Sequence, residues 1–377
     1  MHMTSPQTNT KPKVGIAPAP GTPESAGGET RPLVSLVLPA FNEAAIIEKN
    51  LHVLSEYLKS LENEYRWEMI IIDDGSTDNT GELAKSFAQH RDNVFVLSHI
   101  TNFGLGQAFR FAFNNCNGDY IITLDTDLSY APEHIEALLT KIRETSAKIV
   151  IASPYMKGGR ISNVPWLRKN LSVWANRFLS VAAEGHLSTL TSMVRAYDAQ
   201  FLRSLSLKSM GMDIMPEVIY KGMILGARIE EIPAHLDWSS LKASTTPRRS
   251  SMKLFRHILS TLFSGFLFRP FMFFVIPGLA VLLFSIYVNA WMVRHFFGQY
   301  QALVQYDEVF IRASAAIGAA YAQSPHTFVI GLLSLMVAIQ LISLGILSLQ
   351  SKSYFEEIFH LGSTINRVNN KHKHSEN

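Results

Sequence analysis

Over the first two thirds of the chain, short apolar runs closed by polar turns alternate with stretches of helical periodicity. Val34–Leu38 stops at Pro39, Met69–Ile72 at Asp73-Asp74-Gly75-Ser76, and Tyr120–Leu124 at Asp125-Thr126-Asp127. Val94–Leu97 and Ile149–Ala152 are further runs of this kind. Such lengths, with turn signals on each side, predict buried strands. Helices are expected over about 43–61, about 78–89, from Gly104 and Gly106 to about 115, and 132–143. Asp78 is placed to cap the second of these and Pro132 to open the fourth. Five alternations imply a parallel sheet with helices on both faces. Right-handed crossovers gather the strand-to-helix loops at one edge, where ligands of such sheets bind. Beyond Pro154 the alternation weakens. Helices are expected at about 166–183 and 213–225 and short strands at 192–197 and 227–232, within the same domain.

The last third has a different pattern. Residues 271–293 and 328–349 carry no formal charge. At about 1.5 Å per residue each exceeds the roughly 30 Å hydrocarbon core of a bilayer. Ahead of them, Leu254, Ile258, Leu262 and Phe266 recur every four residues beside Lys253, Arg256 and His257, the pattern of an interfacial amphipathic helix. The expected layout is a disordered tail (1–31), an α/β domain (32–247), an interfacial helix (248–268), a two-helix transmembrane anchor (269–351) and a C-terminal tail (352–377). Arg248, Arg249, Lys253, Arg256 and Arg269 precede the first span, whereas 294–325 holds Arg294 and Arg312 against Asp307 and Glu308. The positive-inside bias therefore places the α/β domain and both termini in the cytoplasm of an integral membrane protein.

Composition sharpens this layout. Only 17% of residues are charged and 47% are hydrophobic, the apolar excess lying after about residue 254. A net charge of +3 gives no reason to invoke nucleic acid. Cys116 is the single cysteine, so no internal disulfide or thiolate metal site forms, in keeping with a reducing compartment. The first thirty residues, rich in Pro, Gly, Ser and Thr, lack the apolar run of a signal peptide. The thirteen histidines show no ligand spacing. Trp166, Trp174 and Trp238 fit packing better than a groove lining.

The candidate chemistry sits at strand ends. Asp125 and Asp127, at the end of the fourth strand, are hard oxygen ligands suited to Mg²⁺ or Mn²⁺ bridging to the diphosphate of a sugar nucleotide. A helix-capping turn before Pro132 is the alternative use of this tripeptide. Asp74 ends the second strand, where an acidic group accepts hydrogen bonds from a base or ribose. Glu43 follows the first strand and either meets the nucleotide or charges a helix N-terminus. Asn102-Phe103-Gly104-Leu105-Gly106 shapes a helix start and is not a phosphate-loop motif.

Pro39-x-Phe41-Asn42-Glu43, Asp73-Asp74-Gly75-Ser76-x-Asp78 and Asp125-x-Asp127-Leu128-Ser129, in this order, resemble glycosyltransferase family 2. Tyr155-Met-Lys-Gly-Gly159, Arg168, Asn176 and Glu231-Ile232-Pro233 resemble its dolichyl-phosphate mannose synthase-like and bacterial polyprenyl-phosphate branch. The resemblance implies a GT-A (Rossmann-like) fold and transfer of a sugar from a nucleoside-diphosphate sugar to a polyprenyl phosphate, undecaprenyl or dolichyl. By position it implies that Pro39, Phe41, Glu43, Ile72, Asp74, Asp125, Thr126 and Asp127 bind the donor. Asp127 is then the principal metal carboxylate, and Arg168 holds the acceptor phosphate.

Two departures stand out. The family has Arg before the tyrosine where this chain has Pro154, which leaves Lys157 or Arg160 to replace a phosphate-binding cation. The family's basic pattern before the membrane is blurred into Arg248-Arg249-Ser-Ser-Met-Lys253, and Arg249 and Lys253 are its counterparts. A phosphate acceptor is already anionic and needs no strong base. An acceptor hydroxyl on another lipid or a polyprenyl-linked sugar would need one, for which Asp213 and Glu217 are candidates. A processive polysaccharide synthase would carry Q-x-x-R-W and more spans, and an inactive scaffold would have no need of Asp125 and Asp127. Self-association through the spanning or interfacial helices is compatible with this layout.

Overall fold

The computed structural model describes residues 31–182, 187–239 and 269–375. The expected N-terminal tail up to residue 30, the interfacial helix 248–268 and the cations Arg249 and Lys253 lie outside the described residues. The described chain falls into two units, the α/β domain and the C-terminal helices.

In the α/β domain, strands β1 (Leu33–Ala40), β2 (Arg66–Asp73), β3 (Val94–Ser98), β4 (Tyr120–Thr123), β5 (Ile149–Ser153), β7 (Arg195–Asp198) and β8 (Ile229–Pro233) form one seven-stranded sheet, ordered β3-β2-β1-β4-β7-β5-β8. β6 (Arg160–Ser162) and β9 (His235–Asp237) form a separate parallel pair. The helices are α1 (Ile47–Ser60), α2 (Thr80–Ala88), α3 (Leu105–Asn115), α4 (His134–Thr145), α5 (Trp166–Ala182), α6 (Ala199–Ser204) and α7 (Ile214–Ile224).

Continuous apolar sequence makes central strands buried on both faces. Leu36, Leu38, Met69, Ile71 and Ile122 join one core cluster with Ile47, Leu51, Leu54 and Leu58 of α1 and Ile135, Leu138 and Leu139 of α4. Alternate residues Val37, Ile70 and Ile121 are equally buried and point the other way, toward the face on which α3 buries Phe109 and Phe113. The expected two-sided helical cover is therefore present.

The sheet is mixed rather than wholly parallel. β7 runs antiparallel between β4 and β5, pairing Tyr120 with Asp198 and Ile149 with Tyr197. The chain leaves β5 at the carboxyl edge, and no crossover helix returns it to the amino edge before β7. It re-enters from the same edge, so β7 must run backwards. Arg195 opens β7 fully buried, its guanidinium donating to the carbonyls of Ser192, Met215 and Leu190.

The second unit contains α8 (Pro270–Ala302), α9 (Val309–Gln323) and α10 (Pro325–Ser375). Phe271–Ala302 and Pro325–Gly362 are long and apolar enough to cross a membrane. Both outrun the expected spans of 271–293 and 328–349. Most of the stretch between those spans is helical, as is the C-terminal tail to Ser375. α8 and α10 approach closely at glycines: a Cβ on Gly345 would lie 2.4 Å from Val275 Cγ2. The Gly331 carbonyl accepts from Ser285 Oγ (3.2 Å), Asn289 Nδ2 (3.1 Å) and Ser334 Oγ (3.0 Å), polar contacts suited to helix packing in lipid.

Candidate functional site

The register aligns the carboxyl ends of the central strands: Ala40 lies beside Asp73, Asp73 beside Ser98, and Val37 beside Thr123. Chain order reverses between β1 and β4, the switch point at which open α/β sheets form their ligand crevice. The loops that leave these two strands carry Phe41 to Glu43 and Asp125 to Asp127.

The acidic tripeptide is held from behind by its middle residue. Thr126 is buried, its Oγ1 donates to Pro39 O (3.2 Å), and its carbonyl accepts from Asn50 Nδ2 of α1 (2.8 Å). The flanking carboxylates remain half-buried. Asp127 Oδ1 accepts from Ser129 N (2.9 Å), and Leu128 between them has φ 52°. A left-handed leucine is strained, and such strain accumulates at functional loops. Burial, with the charges of Asp127 and Glu43, pushes the Asp125 carboxyl up to about 8. Glu43 therefore shares the field of the pair. The carboxylates of Asp125 and Asp127 offer hard oxygens of the kind that suits Mg²⁺ or Mn²⁺. Among the described residues no compact group of three His, Cys, Asp or Glu ligands forms, so further ligands must come from a bound molecule.

The neighbouring loops interlock. Asn42, with φ 55°, accepts from Thr77 N at 2.8 Å, and Asn42 N donates to Ser76 Oγ at 3.0 Å. Asp78 Oδ1 accepts from Thr80 N (3.0 Å), while the residue in the N-cap position of α2 is Asn79 rather than the expected Asp78. Asp74 is buried and accepts from His99 Nδ1 (2.7 Å), Phe103 N (3.1 Å) and Gly104 N (2.9 Å). In this structure it organises the 99–104 loop, a use that the sequence did not signal. The Ile72 side chain is fully buried and Thr126 is turned inward, so neither offers its side chain to a donor. Pro39 is half-buried and Phe41 is exposed at the edge.

The candidate cations divide. Lys157 and Arg160 are exposed on the segment after β5, where Arg160 N donates to Ala234 O (2.9 Å). Arg168 lies within α5, with no described side chain. Its spacing of four and eight places it on the backbone stripe of Ser172 and Asn176. Asn176 is buried and accepts from Thr189 Oγ1, Leu190 N and Thr191 Oγ1. Glu231 accepts from Ser188 N, Ser188 Oγ and Thr189 N, binding the same loop. Glu217, a candidate base, is instead buried in an ion pair with Lys221 (2.5 Å). It also accepts from Lys208 N and Ser209 N (2.8 Å each). Asp213 is exposed at the N-terminus of α7.

Residues 35–205 match the model of the family described as "Glycosyl transferase family 2". The chain is 29% identical over 206 residues to the undecaprenyl-phosphate mannosyltransferase of Micrococcus luteus, covering 53% of this chain and 82% of that protein. It is 27% identical to the dolichol-phosphate mannosyltransferase of Pyrococcus furiosus, covering 60% of this chain and 62% of that protein, less than two thirds of its length. Among solved structures, glucosyl-3-phosphoglycerate synthase of Mycobacterium tuberculosis, in complex with Mn²⁺, uridine diphosphate and phosphoglyceric acid, matches with a TM-score of 0.47 and 21% identity. That match covers 64% of this chain and 79% of the other. Over residues 35–205 the chain is thus similar to glycosyltransferase family 2.

Proposed function

We propose that this protein transfers a sugar from a nucleoside-diphosphate sugar to a polyprenyl phosphate, with inversion at the anomeric carbon, on the cytoplasmic face of the membrane that α8 and α10 cross. The observation that carries the reading is the acidic pair at the β1/β4 switch point, held by Asn50 and Pro39 and coupled in charge to Glu43. The relatives named above as undecaprenyl- and dolichol-phosphate mannosyltransferases support the acceptor class.

Asp125 and Asp127 would hold Mg²⁺ or Mn²⁺, which supplies charge neutralisation at the donor diphosphate. Phe41, Asn42 and Glu43 border the donor crevice beside them. Asp74 acts by fixing the loop that ends at Gly104. The acceptor phosphate oxygen forms the new bond to the anomeric carbon while the bond to the diphosphate breaks, and the leaving group departs as the nucleoside diphosphate. The nucleophile is anionic, so no side chain must take a proton, in keeping with a Glu217 already engaged by Lys221. The main task is to bring two anions together. Two unit charges 4 Å apart cost about 4 kcal/mol at an effective dielectric near 20. Positioning and charge neutralisation are therefore the principal catalytic contributions.

The test is an assay of membranes with polyprenyl phosphate and a panel of labelled sugar nucleotides, wild type against Asp127→Ala. Wild type should form an acid-labile lipid-phosphate sugar and the variant less than about 1% of it. No product with any donor, or a retained anomeric configuration, would refute the reading. The cytoplasmic placement is tested by labelling an engineered cysteine in the 303–308 turn, which should react only from the opposite side.

A further inference from the structure

The short helix α9, between the two candidate spans, has an outer face that the fold leaves uncovered. Its level along the spans follows from α8. At 33 residues α8 is about 50 Å long, so it outruns a hydrocarbon core of about 30 Å and carries its last turns into the headgroup region. The charge-free run ends at Arg294, whose guanidinium lies 5.0 Å over the Trp291 ring. Such pairs of aromatic ring and cation suit the boundary between hydrocarbon and headgroups. Gln299 and Tyr300 follow within about 9 Å.

α9 is tied to this level at both ends. It packs on α8 through Ala316 and Ala320, which are fully buried. Arg312 Nε donates to Tyr300 O at 2.8 Å, and its guanidinium lies 4.4 Å over the Tyr300 ring. Gln299 Nε2 donates to Gln323 Oε1 at 2.9 Å. Arg312 and Gln323 stand toward opposite ends of α9 yet meet adjacent residues of α8. α9 therefore lies across α8 rather than along it. α10 starts immediately afterwards, and its Phe328 meets Tyr321 edge-on at 5.6 Å.

A second stripe of α9 is turned away from this packing. Phe310, Ile317 and Tyr321 follow at helical spacing and are exposed, Phe310 by 90%. Arg312 is the only formal charge between Val309 and Gln323, and α8 already engages it. The outward surface of α9 is thus uncharged and carries large apolar side chains, a patch that marks a membrane or partner contact. Lipid is the occupant favoured here, because the helix is fastened to both spans where they enter the headgroups.

We propose that α9 is an in-plane membrane helix that seats Phe310, Ile317 and Tyr321 at the headgroup boundary of the leaflet in which α8 ends. The proposal rests on the reading that α8 and α10 cross the membrane. Interfacial helices bury such side chains about 5–10 Å into that boundary, and Tyr321 can keep its hydroxyl among the headgroups. A helix held flat in this way resists sliding of α8 and α10 along the bilayer normal.

The test is depth measurement on full-length protein in phosphatidylcholine/phosphatidylglycerol nanodiscs. Cys116→Ala removes the single native thiol, and nitroxide labels are placed through Phe310→Cys, Ile317→Cys or Tyr321→Cys, one per variant. Gln305→Cys in the preceding turn and Leu283→Cys within α8 serve as references. The three α9 labels should favour oxygen over a nickel chelate at least about fivefold more than the label at 305 does, and less than the label at 283 does. Adding Ile317→Asp to the Tyr321→Cys variant should shift its label toward the chelate. If one labelled variant does not fold, the other two give the reading. α9 labels as open to the chelate as the one at 305, with the label at 283 deep, overturn the proposal and leave the membrane crossing standing. Labels shielded from both reagents, with spectra that sharpen when unlabelled protein is mixed in, would mark a contact between copies and overturn the lipid assignment. A label at 283 open to the chelate would instead refute the crossing itself.

Discussion

Asn50 Nδ2 in α1 donates to the carbonyl of Thr126 at 2.8 Å, joining the first helix to the centre of the acidic tripeptide at the end of β4. The bond is buried, and it fixes the peptide from which Asp125 and Asp127 project on either side. Breaking it leaves a buried carbonyl unpaired, at a cost of about 1–3 kcal/mol. Asn50→Leu should lower Tm and raise the apparent Kd for Mn²⁺ about tenfold, with less effect on acceptor affinity. Calorimetry with Mn²⁺ and with farnesyl phosphate checks both halves.

Asp125 gives a pH signature. Its carboxyl is pushed up to about 8 in the fold, against about 4 unfolded. The folded state therefore binds the extra proton, and the metal-free protein should lose stability as pH rises from about 4 to about 8. The loss is complete above 8. Protons compete with a divalent ion for the same oxygens, so metal affinity should climb over the same window. Thermal melts of chelator-treated protein at stepped pH should show the fall, Mn²⁺ should offset it, and Asp125→Asn should flatten it.

Gly75 turns the chain after β2 with φ +68°, and a Cβ there would lie 2.2 Å from the Thr101 carbonyl carbon. Both the left-handed backbone and the contact with main chain oppose any side chain. Gly75→Ala should destabilise the domain by about 2 kcal/mol or more and weaken donor binding, because the Thr101 segment leads into the Asp74-bound loop. Urea unfolding and nucleotide titration measure the two effects.

The buried Glu217–Lys221 pair separates the acceptor classes. If an ionised Glu217 were a general base, Glu217→Gln would abolish turnover and remove the acidic limb of the kcat profile. The phosphate-acceptor reading expects that limb to persist and kcat to change less than about threefold in protein that folds. Lys221→Met should instead cost about 3–5 kcal/mol of stability, since it leaves a buried carboxylate without its cation.

Much of the sheet was legible because its strands are apolar runs bounded by turns, and the lengths of α1, α3 and α4 follow from their apolar spacing. The direction of β7 was not. Arg195-Ala-Tyr-Asp198 looks the same read either way, and its orientation depends on where the chain emerges after α5. Arg195 itself gave no sign of burial, because its partners are carbonyls of the loop before it and of Met215 in α7. Asp125 and Asp127 were legible because a short carboxylate pattern followed a buried strand. Asp74 was legible in place, whereas its hydrogen bonds within the fold were not, since their partners lie 25 to 30 residues away.

α10 has fifty-one residues in one uninterrupted helix, about 77 Å of rod against a hydrocarbon slab of about 30 Å. If α10 crosses a bilayer along its normal, as the length and apolar character of Pro325–Gly362 allow, its surplus projects as a stiff mast. Anything that grips its far end, such as an antibody or a fused reporter, would therefore be held at a fixed height above the lipid and would report the tilt of the span directly.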